Sequence, residues 1–114
     1  MTTLYGIKNC DTVKKARSWL ESHKVNYHFH DFRSDGITPA MVTQWINELG
    51  LDTLVNKRST TWKELAEDIK QHFDASNAVA VIVANPTLIK RPLLDTGSQR
   101  LVGFKEADYH NLFN

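Results

Sequence analysis

The chain has 114 residues, 41% hydrophobic and 24% charged, and its 14 Lys and Arg against 13 Asp and Glu leave a formal charge of +1. That length suits one domain with one core, and the balanced charge gives no bulk electrostatic case for nucleic acid or an anionic membrane. No apolar run approaches the ~18 residues of a membrane span, the start Met1-Thr2-Thr3-Leu4 does not read as a signal peptide, and a single cysteine excludes an internal disulfide framework, so cytoplasm is the default expectation.

Thr3-Leu4-Tyr5-Gly6 reads as an opening strand. Asp11 and Thr12 then offer N-cap oxygens, and Val13, Ala16 and Leu20 recur at helical spacing with Trp19 at the flank. Within 26–31, Tyr27 and Phe29 alternate as a second strand would, and Asp35-Gly36 breaks it. Thr38 as N-cap and Pro39 at the first helical position predict a helix carrying Val42, Trp45, Ile46 and Leu49 and closed by Gly50. Residues 54–59 read as a loop. Thr61-Trp62-Lys63-Glu64 matches a capping box, followed by Leu65, Ile69 and Phe73 at i, i+4 and i+8.

Residues 78–84, Ala-Val-Ala-Val-Ile-Val-Ala, fit either state on pattern alone. The β-branched residues favour a strand, whereas the flanking Ser76-Asn77 and the stop at Asn85-Pro86 favour a helix. Residues 91–95 and 100–104 flank Thr96-Gly97-Ser98 as a hairpin would, and Glu106 to Phe113 suggests a closing helix. The order βαβ, helices, ββα indicates one α/β domain over 1–114 with a helical insertion at about 36–86.

Cys10 lies where the first strand hands over to the first helix. Unpaired backbone N–H groups and the positive end of the helix dipole there favour thiolate, the nucleophilic form. The competing reading is a small buried hydrophobe. Val13 stands where a Cys-x-x-Cys motif would place its second thiol, so any disulfide at Cys10 must form with another molecule.

Tyr-Gly-Ile-Lys-Asn-Cys-Asp-Thr before a basic helix, then Asn56-Lys57-Arg58-x-Thr60-Thr61-Trp62, Leu88-Ile89-Lys90-Arg91-Pro92-Leu93 and Leu101-Val102-Gly103-Phe104, resemble the ArsC/Spx/YffB (arsenate reductase-like) family, and within it the YffB subgroup most closely. The similarity runs nearly end to end, with four motifs in order. It implies a thioredoxin-like core, βαβ then ββα, with an inserted helical subdomain. It also implies that 78–84 is helical and that Pro92 is the cis-proline such folds place beside the active-site cysteine.

For function, the resemblance implies an oxidoreductase with Cys10 as the catalytic nucleophile and Arg58 and Arg91 as donors to an anionic substrate. A guanidinium offers a planar bidentate fork for an oxyanion or carboxylate. Asn9 orients a ligand or a turn, and Thr12 caps the helix first and donates to a bound oxyanion second. His28 and His30 share a strand face, but no third ligand is spaced to help them, so no metal is expected. Trp45 and Trp62 read as packing residues.

Authentic arsenate reductases of this kind carry a third arginine where this chain has Gly103-Phe104, so arsenate turnover is not favoured. The expected activity is monothiol reduction of a disulfide or small anionic substrate. No bound cofactor is expected; glutathione is the co-substrate and glutaredoxin a candidate partner of a monomeric enzyme. The alternatives are a glutaredoxin- or glutathione-linked arsenate reductase and a non-catalytic, Spx-like RNA polymerase-binding regulator.

Overall fold

Strand β1 (Thr2–Gly6) buries Leu4 and Gly6 at period two, and β2 (Tyr27–Asp31) runs parallel to it with Leu4 opposite Phe29 and Gly6 opposite Asp31. In this computed structural model, which describes residues 2–113, the parallel crossover is made by helix α1 (Asp11–Ser22). Strand β3 (Leu93–Asp95) pairs antiparallel with β1, Leu4 opposite Leu94, and β4 (Arg100–Val102) completes a sheet of order β2-β1-β3-β4. Gly97, at φ +93°, lies in the β3–β4 turn, a backbone region that glycine occupies without a Cβ penalty. This is the thioredoxin-like α/β core that the resemblance implies.

Two units divide the chain: its ends, up to Ser34 and from Arg91 onward, form one, and Asp35–Lys90 forms the other. In the first, Leu4 and Leu94 from the sheet meet Ala16, Trp19 and Leu20 of α1 and Tyr109 of α8 (Glu106–Phe113). Trp19 and Tyr109 meet edge-on at 5.4 Å, and Phe104 stands edge-on to Tyr109 at 4.8 Å.

The Tyr109 hydroxyl is fully buried and has no hydrogen-bond partner among the described residues. Burial pushes its pKa well above the ordinary 10.0. An orphaned buried hydroxyl costs about 1–3 kcal/mol, so Tyr109→Phe is expected to stabilise the protein by about 1 kcal/mol in urea unfolding at pH 7. The unfolded tyrosine deprotonates near pH 10 while the folded one stays neutral. Below about pH 10 the group adds no pH dependence, and above it stability falls as pH rises toward the folded value. The variant should flatten the alkaline fall in stability; an unchanged fall would show that Tyr109 does not drive it.

In the second unit, α3 (Pro39–Leu49) forms as Thr38, Pro39 and Gly50 predict: Thr38 Oγ1 accepts from Met41 N at 3.2 Å, and Gly50 sits at φ +85°. Helix α7 (Ala78–Ala84) packs on α3 and buries Ala78 and Ile82, one helical repeat apart, which settles the ambiguous apolar run as a helix.

Four local expectations are corrected. The first helix is capped by neither Asp11 nor Thr12: Cys10 is its N-cap, with its carbonyl accepting from Lys14 N at 2.9 Å, and no side chain caps the helix. Asp11 and Thr12 lie one and two residues inside it. Phe32–Asp35 forms a one-turn helix, α2, before the break at Gly36. The loop at 54–59 is entered through another short helix, α4 (Leu51–Leu54), and held by a bridge between Val55 and Ile89. The Thr61 capping box is displaced by Ser59, whose Oγ accepts from Trp62 N at 3.1 Å and starts α5 (Thr60–Lys63). Thr61 Oγ1 instead meets Thr87 Oγ1 at 2.6 Å, and α6 (Glu67–Gln71) begins separately.

Candidate active site

The end of β1 leads into the site. Gly6 is buried, and a Cβ built on it would come 2.8 Å from Cγ2 of Val13, so the strand and α1 approach too closely there for any larger residue. Ile7 is also buried, while Lys8 and Asn9 turn outward into solvent. Cys10 follows as the extended N-cap residue of α1 (φ −127°, ψ 122°), half-exposed and unbonded to any other cysteine. Its position leaves the first-turn N–H groups of α1 without helical acceptors, free to donate toward negative charge developing beside the sulfur.

Arg91 and Pro92 approach the same end of the sheet. The β1–β3 register pairs Tyr5 with Leu93, which puts Pro92 level with Gly6. The Arg91–Pro92 peptide is cis, as the resemblance implies. The Pro92 carbonyl accepts from Gly103 N at 2.9 Å, and Gly103 holds φ +78°, a conformation that an arginine at this position would adopt only with strain. Phe104 packs on Tyr109.

Asn9, Cys10, Thr12, Arg91 and Pro92 all belong to the unit formed by the chain ends. Asn9 and Thr12 are exposed, Pro92 is buried, and the half-exposed Arg91 guanidinium has no ion-pair partner among the described residues. Arg58 belongs to the Asp35–Lys90 unit, where its backbone N–H donates to Asn56 Oδ1 at 3.0 Å in a tight turn and its side chain is exposed. In that unit Trp45 is core, 2% exposed, and Trp62 stands edge-on to Phe73 at 5.1 Å. The exposed Lys57 holds its Nζ 5.3 Å from the centroid of the Trp62 ring. His30 packs on Tyr5 at 4.8 Å, a contact that periodicity alone does not signal.

Tyr5, in β1, has a perturbed phenol. Burial raises its pKa above 10.0, nearby Asp95 adds to this, and Arg100 opposes it. The Asp95–Arg100 pair responsible lies across the hairpin at 3.3 Å, with both side chains largely buried.

Comparison with known proteins agrees with this architecture. A family model described as the ArsC family matches residues 5–112. An uncharacterized protein of Haemophilus influenzae is 49% identical over 113 residues, 99% of each chain. A solved structure titled YFFB (PA3664) protein superposes with a TM-score of 0.96 at 43% identity over the whole of both chains. The global transcriptional regulator Spx of Staphylococcus haemolyticus is 30% identical over 95% of this chain and 83% of its own. With an end-to-end family match, a near-superimposable relative and the cysteine, cis-proline and hairpin arranged on one sheet end, this chain belongs to the ArsC family.

Proposed function

We propose that the protein is a monothiol reductase acting through Cys10 with glutathione as thiol donor. One observation carries this reading: the chain's single thiol is half-exposed at the N-terminus of a twelve-residue helix, at the sheet end where the Arg91–Pro92 segment arrives. The Cys10 thiolate attacks one sulfur of a substrate–glutathione mixed disulfide. The Cys10–glutathione disulfide forms, the substrate sulfur leaves as thiolate, and a second glutathione thiolate then displaces Cys10 and departs as glutathione disulfide. No second cysteine is present to do this internally.

In this reading the α1 N–H groups stabilise the charged sulfur, and the Arg91 guanidinium holds a glutathione carboxylate, with Asn9, Thr12 and Pro92 shaping the surroundings. The family resemblance gives Arg58 the same anion-holding task. The test is intact-mass analysis after exposure to glutathione disulfide, followed by reduced glutathione. One adduct at Cys10, removed in the second step, is the expected result; its absence refutes the mechanism. Arg91→Ala should raise KM for the glutathione mixed disulfide about tenfold or more, the scale of one charge-assisted hydrogen bond, and Arg58→Ala is the parallel test.

Arsenate reduction is disfavoured by Gly103-Phe104 and is checked by assaying arsenate in the same system. Similarity to the Spx regulator supports a second reading, that of a polymerase-binding module, although Val13 leaves no cysteine pair for a redox switch. Stoichiometric recovery of RNA polymerase on the immobilised protein would favour that reading over catalysis.

A further inference from the structure

A groove between α1 and α8 lies wholly within the unit formed by the chain ends and takes no part in the chemistry assigned to Cys10. Its volume is about 560 Å³, and its lining includes Lys14, Lys15 and Ser18 of α1, with His23, Phe104 and His110 around the far end. Lys14 and Lys15 are exposed and have no ion-pair partner among the described residues, and Ser18 has no hydrogen-bond partner there. Among the described residues Glu106 is the one carboxylate on the lining, against the two ammonium groups of Lys14 and Lys15. An occupant should therefore be anionic.

The far end is flat and aromatic. The His23 ring stacks on Trp19 with centroids 3.9 Å apart and planes 16° apart, and His110 stands edge-on to both at 5.2 Å. His23 is held there: its Nδ1 lies 2.9 Å from the Trp19 carbonyl and 3.1 Å from Ser22 Oγ. His23 is exposed, so the stack is a preorganised aromatic platform at the surface, suited to a planar heteroaromatic ring. From Lys15 to His23 the helix rises about 12 Å, so cationic and aromatic ends are separated by more than an inorganic ion can span.

We propose that the groove binds a mononucleotide-type ligand, with its base on the His23–Trp19 stack and its phosphate between Lys14 and Lys15. The site does not depend on Cys10 or on the reductase reading. It is tested by NMR titration of the full chain with adenosine monophosphate, and separately with adenosine and with inorganic phosphate. Saturable shifts at the Trp19 indole and at His23, His110, Lys14 and Lys15 are expected, with adenosine monophosphate binding about tenfold or more tighter than either fragment.

Replacing both lysines (Lys14→Gln with Lys15→Gln) should weaken binding about tenfold or more, His23→Ala should weaken it as well, and Lys63→Ala in the other unit should leave it unchanged. Equal binding of phosphate alone, equal binding of adenosine alone, shifts outside the groove, or no saturation by about 10 mM would each overturn the proposal. The amide spectrum of each free variant reports its fold. If His23→Ala is misfolded, His23→Gln, which removes the ring but keeps a polar side chain, takes its place with the same expectation.

Discussion

Cys10→Ser is expected to bring glutathione-dependent disulfide reduction down to background, a loss on the order of 1,000-fold or more, equivalent to about 4 kcal/mol in the barrier. The substitution exchanges sulfur for oxygen at a half-exposed N-cap, a position where serine is itself a favoured residue. Folding should therefore be nearly unaffected, within about 0.5 kcal/mol. What disappears is the nucleophile: without Sγ no mixed disulfide forms, and the chain contains no other thiol to take over. Initial rates with a glutathionylated peptide, alongside urea unfolding, separate the two effects. Retained turnover in a cleanly folded Cys10→Ser protein would eliminate the monothiol mechanism.

Gly6→Ala should be among the most damaging single-methyl changes in the molecule. The new Cβ would stand 2.8 Å from Cγ2 and 3.3 Å from Cγ1 of Val13, a side chain that is fully buried and stiff at χ1. Neither partner can swing away, so β1 and α1 must separate, at an overpacking cost of about 1–3 kcal/mol. In a chain of this size that lowers Tm by roughly 4–12 °C. Because the same strand and helix carry Cys10 between them, reductase activity should fall as well, by an amount larger than the unfolded fraction explains. Val13→Ala in the Gly6→Ala background supplies the check. If the clash is the cause, the double variant is more stable than the sum of the single losses predicts, by about 0.5 kcal/mol or more in a double-mutant cycle. Strict additivity would point to another origin.

The site was legible in unequal parts. Cys10 announces itself as a lone thiol at a strand-to-helix junction, and the resemblance implies Pro92 beside it, but the register of β1 against β3 is what sets Pro92 level with Gly6. The cap is the instructive miss. Asp11 and Thr12 are good capping residues by type, yet the helix starts one residue earlier and the cysteine takes the N-cap place. Sequence offers Asp11 and Thr12 as caps by residue type, and the packing of Val13 and Ala16 beneath the sheet sets the phase one residue earlier. Ser59 displaces the Thr61 capping box in the same way. The His23–Trp19 stack has the i, i+4 spacing of a helix, but His23 lies just past the end of α1 and a carbonyl contact holds it there.

By itself, the sequence determined the features whose physics is confined to one or two turns of chain. These are the α3 boundaries written by Thr38, Pro39 and Gly50, the β3–β4 hairpin with Gly97 in its turn, the alternation of β2, and the single cysteine with Val13 in place of a second. Interactions between i and i+4, or a glycine at positive φ, need no distant partner to be favourable. Tertiary structure supplied the physical reason for the state of residues 78–84, left open by pattern and implied helical by the resemblance: Ala78 and Ile82 are buried in a helix packed against α3. It also decided the meeting of β1 with the Arg91–Pro92 segment and the groove between α1 and α8. Those features join residues some 80 to 100 positions apart, and their free energy comes from burying surfaces that no local stretch of chain contains.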